Sequence, residues 1–549
     1  MGVILFLSLA CTGVYFEYQS CVLSIALLYM LWSTVWKNGA FVWKKNYLAY
    51  CFPGVSLLYL LSAVWAVDSH MAFFGGLKFF PVGLCALLFM QETELREKLL
   101  RNLPAAGTLF TLISAAGWAV PLLQEYLWTG TRLAGTFQYP NAFALFLLVC
   151  LLYLLHQKEM RGANFAQAAV LLAGILLTGS RTVFLMLPAA LLVSGVMVRE
   201  RRGKILCFGL VGLVGVSVLL LLIIKGELAD TRLLELSLSE SSLLGRVLYW
   251  KDALPVIAQH PLGLGYLGYY FTQGSFQTGV YTVTHVHNEF LQVFLDIGWL
   301  AGIGLLGAWI YGLLRADSGW KRLLLIVMGT HALMDFDLQY MAMYMVFLAL
   351  LPWERGGGLP LTLKRSKAFA AGSLCLSMAL CYFGAGIAAY HFQDQSLAGR
   401  FYPQNTLLQM ETLKLAADAE EMDSIADNIL THNDSVSLAW DAKARAAFAQ
   451  GDVQLMMNYK EKAISLAKYA REEYEDYLDM LIAAAQWYTQ AGDQESAAYC
   501  MERALRIPQQ LDTVKKATDS LGWRIQDKPE LDLPESYQSY LNEIQEQLQ

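Results

Sequence analysis

The chain has 549 residues, of which 56% are hydrophobic and only 16% charged, with a formal net charge of −6. Soluble proteins carry about 25% charged residues, so a wholly soluble protein is excluded. The charge is also divided: residues 1–390 hold 26 Lys and Arg against 19 Asp and Glu, whereas residues 391–549 hold 14 against 27. An all-α protein of two bodies is expected, a polytopic transmembrane domain over 1–390 and an acidic soluble domain over 391–549. Eight of the nine cysteines lie in apolar stretches and only Cys500 falls in the soluble part. With no CxxC pair or Cys/His cluster, neither a disulfide framework nor a structural zinc is expected.

A hydrocarbon core about 30 Å thick takes roughly 17–25 apolar residues per helix. On that measure the predicted spans are 2–16, 21–36, 47–67, 70–90, 103–123, 135–156, 165–180, 181–198, 205–224, 289–313, 323–334, 341–353 and 369–390. Those at 2–16, 323–334 and 341–353 are short, so 12 to 13 crossings are expected. The first segment lacks a basic start and a good lipoprotein cleavage box, and reads as a helix that stays in place. Basic residues concentrate in the loops at 37–45, 96–101, 158–161, 199–204, 315–322 and 355–367, which hold 19 of the 26 Lys and Arg before residue 391. Thirteen helices counted from a cytoplasmic N-terminus put all six loops in the cytoplasm, as the positive-inside rule requires. That count places a long loop at 225–288 and the C-terminal domain outside the cytoplasm.

Seven basic residues escape the pattern: Lys78 within a span, and Arg132, Arg181, Lys225, Arg232, Arg246 and Lys251 on the outer side. Lys225 and Arg232 read as surface charges at a helix exit. Arg181 does not, because Thr178-Gly179-Ser180-Arg181-Thr182 is a tight connection between two apolar spans. A guanidinium there calls for an anionic partner, and its fork suits phosphate.

Four outer segments then stand in order. Arg132-Leu133-Ala134-Gly135-Thr136-Phe137-Gln138-Tyr139-Pro140-Asn141 leads into a span, and Gly179-Ser180-Arg181-Thr182 caps a hairpin. Gly245-Arg246-Val247-Leu248-Tyr249-Trp250 and His260-Pro261-Leu262-Gly263-Leu264-Gly265 lie in the long loop, which closes on Thr284-His285-Val286-His287-Asn288-Glu289. An imidazole at such a mouth can take and give up a proton near neutral pH. Asn288, Gln292 and Asp296 fall at i, i+4 and i+8 and form a polar stripe expected to face a wet cavity.

This arrangement resembles the O-antigen ligase and polymerase family of membrane glycosyltransferases over roughly residues 130–340. A His-Asn pair, nine residues and a glycine, the family's ligase pattern, fit His287-Asn288 and Gly298. The small residue expected three after the glycine is Ala301, with Gly302 next. The resemblance implies a GT-C-like bundle in the cell membrane. Its donor would be a glycan on a polyprenyl diphosphate such as undecaprenyl diphosphate, transferred without nucleotide sugar, metal or cofactor to a glycan, lipid or protein acceptor. It carries His287 over as the group that activates the acceptor hydroxyl, and Arg181 and Arg246 as the diphosphate clamp. Arg132, Asn288, Asp296, Lys78 and Tyr249 are the expected substrate contacts. Asn288 would orient the imidazole, and Asp296 would pair with an arginine.

Plainer readings stand beside these. His287 fits a helix boundary, His285 a loop surface, His260 a turn before proline, and Arg246 a cation–π cluster with Tyr249 and Trp250. Lys78 either snorkels or lines a cavity, and His331 and Asp335 either support the site or form a solvated helix end. Thirteen spans with Lys78 and Asp296 would also suit a transporter, which predicts symmetry between halves that this chain lacks. A non-catalytic glycan-binding scaffold is the third reading.

Beyond Tyr390 the pattern turns amphipathic. Ala449-Gln450-Gly451-Asp452 and Gln490-Ala491-Gly492-Asp493 share one form, with glycines 41 residues apart against about 34 in tetratricopeptide repeats. Divergent tetratricopeptide-like hairpins over about 404–507 are expected, or a plain helical bundle, in either case a surface for a partner protein or acceptor glycan. No nucleic-acid partner is expected.

Overall fold

The computed structural model describes residues 1–224, 241–361 and 367–548. Lys225, Arg232, Lys364 and Arg365 lie outside the described residues. The architecture is all-α, a membrane helix bundle with two short two-stranded ladders. Every predicted span contains a helix, but the lengths differ. Among the described residues, five helices are long and apolar enough to cross a membrane: Glu17–Asn38, Tyr47–Val64, Ser69–Gln91, Glu289–Arg315 and Lys367–His391. Pro140–Leu155, Gly162–Thr178, Arg181–Met197 and Met341–Leu350 are apolar but shorter. The predicted span 103–123 is split into Leu103–Ala116 and Pro121–Leu127, and the first segment shrinks to Gly2–Ala10.

Local chemistry sets several ends. Asn46, Asp68, Asn288 and Ser318 each accept a backbone N–H from the first turn of the helix they precede, satisfying one of the orphan donors at a helix start. Gly39 and Gly179 end theirs in the left-handed conformation.

The basic loops gather at one end of the bundle. Strand Phe41–Lys44 pairs antiparallel with Gly358–Leu361, and Asn46 Nδ2 donates to the carbonyls of Trp353 and Arg355. Arg96 pairs with Glu354, Lys321 with Glu97 and Arg355 with Asp317. Arg202 reaches the carbonyl of Met160, joining the loops at 158–161 and 199–204. Helices Tyr47–Leu61 and Ser69–Gln91 run from this end to the other, where Trp65 Nε1 donates to Leu262 O and Val67 N to Leu264 O.

At that second end the segment expected as a long polar loop is itself folded, with helices Ser241–Gln259 and Gly268–Phe276. Between them, the glycine-rich turn after His260 pairs with a broken helix. Gly298 (φ +80°) interrupts Glu289–Arg315, and a Cβ there would lie 2.3 Å from Pro261 O. The break frees carbonyls of Leu295 and Asp296 to accept from Leu264 N and Gly265 N, while Trp299 N donates to Pro261 O. A side chain would close that approach, which is why glycine stands there.

The C-terminal helices, Gln395–Phe401 to Glu535–Leu548, pack on this same end. Asp68 accepts from Thr406 Oγ1 at 2.6 Å and Asn433 Nδ2 at 2.9 Å, and His70 Nδ1 lies 2.7 Å from the Tyr402 hydroxyl. Lys468 Nζ donates to Ser275 O, Asp519 N to Thr278 O, and Lys251 pairs with Asp519. Helices Ser437–Ala449 and Val453–Leu466 form one hairpin, Arg471–Gln490 and Gln494–Leu505 the next. In both, a left-handed glycine precedes an aspartate cap, Gly451-Asp452 and Gly492-Asp493.

Candidate active site

Three separated segments, the first giving Tyr139 and Asn141, the second Arg246 and the third His287, bring polar side chains to one buried carboxylate, Asp335. Its Oδ1 lies 3.3 Å from His287 Nδ1, and its Oδ2 accepts from Arg246 Nη2 at 3.1 Å and Asn141 Nδ2 at 2.9 Å. The Tyr139 hydroxyl donates to it at 2.9 Å. Arg132 extends the cluster, its Nη2 donating to Asn141 Oδ1 and its Nε to the carbonyl of Thr178. That carbonyl belongs to the turn whose next helix opens at Arg181. Asp335 thus joins three of the outer segments read from sequence, the turn before Arg181 touches the cluster through the Thr178 carbonyl, and residues 260–265 pack on the broken helix instead.

The Asp335 side chain is 1% exposed, whereas His287 is 22% and Arg246 14% exposed. Burial alone pushes the Asp335 carboxyl up, but Arg246 beside it and then His287 draw it down further, so the net shift is well below the ordinary carboxylate range. A carboxylate held ionised on Nδ1 fixes the ring and leaves Nε2 as the proton acceptor, an assignment of tautomer made from the hydrogen bond. The ring is further bracketed by Phe336, with centroids 5.0 Å apart, and Tyr249, 6.2 Å away.

The backbone at His287 is left-handed, φ +53°, a conformation that costs a non-glycine residue about 1–2 kcal/mol. It is held from both sides. Val286 N donates to Gln292 Oε1 and Val286 O accepts from Trp250 Nε1, while Asn288 caps the following helix. Strain at a side chain fixed by its neighbours belongs with functional positions.

Other sequence expectations land elsewhere. Asn288 does not touch the imidazole; its Nδ2 donates to Leu333 O. Asp296 pairs with no arginine among the described residues; its oxygens accept from Gln292 Nε2 and the Tyr59 hydroxyl. The stripe of Asn288, Gln292 and Asp296 is buried in protein rather than facing a wet cavity. Lys78 is fully buried, donating to the Tyr266 hydroxyl and lying 4.4 Å from the Tyr15 ring centre, so it neither snorkels nor reaches Asp335. His285 is no loop surface: it is 4% exposed, with Nε2 3.0 Å from the Tyr15 hydroxyl. Burial, then Lys78, holds its imidazole well below the ordinary value. His331 and Asp335, weighed together in the sequence, separate: His331 pairs with Asp337 at 2.6 Å. Tyr139 and Asn141 were legible only as part of the segment entering the Pro140–Leu155 helix.

Residues 166–306 match the family model described as O-Antigen ligase. The match contains Arg181, Arg246, Tyr249, His287, Asn288 and Asp296, and stops short of Arg132 on one side and Asp335 on the other. No curated protein matches the chain.

Proposed function

We propose that this multi-pass membrane protein, with its O-antigen ligase domain at residues 166–306, transfers a glycan from a polyprenyl diphosphate to an acceptor hydroxyl. The observation that carries the reading is the His287–Asp335–Arg246 arrangement, one carboxylate holding an imidazole on one oxygen and a guanidinium on the other. The acceptor hydroxyl gives its proton to His287 Nε2 as its oxygen bonds to the anomeric carbon. The bond from that carbon to the diphosphate oxygen breaks, and the electron pair leaves with the diphosphate. Arg246, with Arg181 and Arg132 from the neighbouring turn, stabilises the charge that develops on the leaving group. An imidazole supplies general-base assistance, and Asp335 stabilises the imidazolium that forms.

The full chain in lipid, given polyprenyl-diphosphate-linked glycan and acceptor, is expected to form the new glycosidic bond and release polyprenyl diphosphate. A requirement for nucleotide sugar would overturn the reading. Deleting the gene separates its two forms: lost chain length indicates a polymerase, lost anchoring a ligase.

The end carrying Asp335 and the C-terminal helices would face away from the cytoplasm, because the basic loops gather at the other end. Cysteines placed at the exposed Ser275 and Gln494 should both react with a membrane-impermeant reagent in intact cells. Protection of both would place the site on the cytoplasmic side.

A further inference from the structure

A cleft of about 420 Å³ lies where helix Gly268–Phe276 and the segment after it meet the C-terminal domain. Sites for small molecules span roughly 300–1,000 Å³. Its position is fixed by close backbone contact: a Cβ on Gly274 would lie 2.1 Å from Leu466 O. The lining includes Tyr270, Gln277, Thr282, Ser435, Ser437 and Tyr469, and none of its lining residues is charged. That is unexpected beside a domain with 27 acidic and 14 basic residues. A charge-free wall of tyrosine rings, amides and hydroxyls disfavours phosphate and charged peptide. It suits a neutral ligand with apolar C–H faces to lie on rings and hydroxyls to exchange hydrogen bonds.

Two further observations connect this cleft to a ligand and to the chemistry. Gln277 is 6% exposed, and its Oε1 has no hydrogen-bond partner among the described residues. A buried amide oxygen left so costs free energy that a ligand hydroxyl would recover. Tyr281, also in the lining, packs tilted against Tyr249 with centroids 4.6 Å apart, and Tyr249 neighbours His287. Two tyrosine rings, Tyr281 and Tyr249, thus stand between the cleft and the imidazole side of Asp335.

We infer that this cleft binds the acceptor glycan, holding the sugars beyond the one whose hydroxyl reaches His287. The assignment to acceptor rather than donor rests on the reading of His287 as the group that takes the acceptor's proton. The C-terminal domain then forms one wall of a substrate groove, and acceptor length becomes a determinant of affinity.

The test uses the full chain in lipid nanodiscs, titrated with size-fractionated oligosaccharides hydrolysed from the producing cell's own surface polysaccharide. Fragments of two or more repeats are expected to bind wild type. Tyr270→Ala and Tyr469→Ala should each weaken binding and raise the acceptor KM roughly tenfold, with kcat retained, which is about 1.4 kcal/mol each. Tyr270→Phe keeps the ring and should bind within about twofold of wild type, which holds the test open if the alanine variant misfolds. His287→Ala should bind fragments normally while losing transfer, so a failed groove and a failed base assignment give different results. Unchanged affinity in Tyr270→Ala and Tyr469→Ala, displacement of bound fragments by lipid-linked donor, or no binding to wild type would each overturn the assignment.

Discussion

Among the described residues, two buried ionic clusters are of opposite construction. In the C-terminal domain, Lys460 is fully buried and bonded to Asp441, Glu473 and Asp476, while Arg445 bridges Asp441 and Asp476. A buried cation is wrapped by carboxylates, and Glu473, Asp476 and the more exposed Arg445 form the rim around it. At Asp335 the order is inverted: the carboxylate is buried, and Arg246 and His287 form the rim. Both clusters meet the requirement that buried charge be paired. Both rims carry a guanidinium, Arg445 and Arg246, but only the second carries an imidazole, a proton acceptor. Burial of charge alone therefore does not mark a site; the chemistry of the rim does.

The comparison predicts its largest effect at His287. His287→Ala should lower transfer by about 10²–10⁴-fold, the usual range for losing a general base. It should leave lipid-linked donor binding intact, because the arginines remain. A folded variant that transfers at more than about a tenth of the wild-type rate would make His287 a helix-boundary residue. Asp335→Asn should fall toward the lower end of that range, since the amide keeps the shape but loses the charge that orients Nδ1–H.

Asp335 also predicts a pH behaviour. Its folded pKa is depressed, so its pairing contributes fully above the ordinary carboxylate range and is lost only as pH falls through the folded value. The stability that wild type has over Asp335→Asn should therefore not shrink between neutral pH and about 4. A difference that closes well above that pH would mean the carboxylate is not held ionised by Arg246.

Arg246→Lys and Arg181→Lys should each cost about 10²–10³-fold in rate, because an ammonium cannot reproduce the two-pronged contact to a diphosphate. Near-normal rates for the lysine and alanine forms at both positions would make these arginines structural.

How far the site could be read from sequence follows from where its contacts come from. Helix positions follow from apolar run lengths, and the grouping of basic loops follows from charge, since both properties act locally along the chain. His287, Arg246 and Arg181 stood out because a cation or imidazole beside a span is costly without a partner. Asp335 itself was ambiguous, because a carboxylate between short helices looks the same whether solvated or buried. Its role depends on Tyr139, Asn141, Arg246 and His287, distant in sequence by as many as 196 residues. Asp296 and Lys78 show the converse error: intramembrane charge suggested substrate contact, whereas Tyr59, Gln292 and Tyr266 satisfy them inside the bundle. His285 also changes role, from an expected loop surface to a buried partner of the Tyr15 hydroxyl.

The smallest effect on transfer is expected at the other cluster. Lys460→Met preserves most of the side-chain volume but removes the cation from Asp441, Glu473 and Asp476. Breaking a buried ion pair costs about 3–5 kcal/mol, and the cost here should fall toward or below the low end, because Glu473 and Asp476 reach solvent and Arg445 still pairs Asp441 and Asp476. Helices Ser437–Ala449, Val453–Leu466 and Arg471–Gln490 share that cluster, so the C-terminal domain should unfold at lower temperature. Transfer to a short acceptor, normalised to folded protein, should stay within about twofold of wild type, since none of these groups faces the Asp335 rim and surface-distant changes leave chemistry intact. Transfer to long acceptors should fall only as the domain melts, because the groove wall melts with it. A large loss on short acceptors below the melting temperature would show that the two clusters are coupled, and the presence of an imidazole on one rim and not the other would no longer separate structure from chemistry.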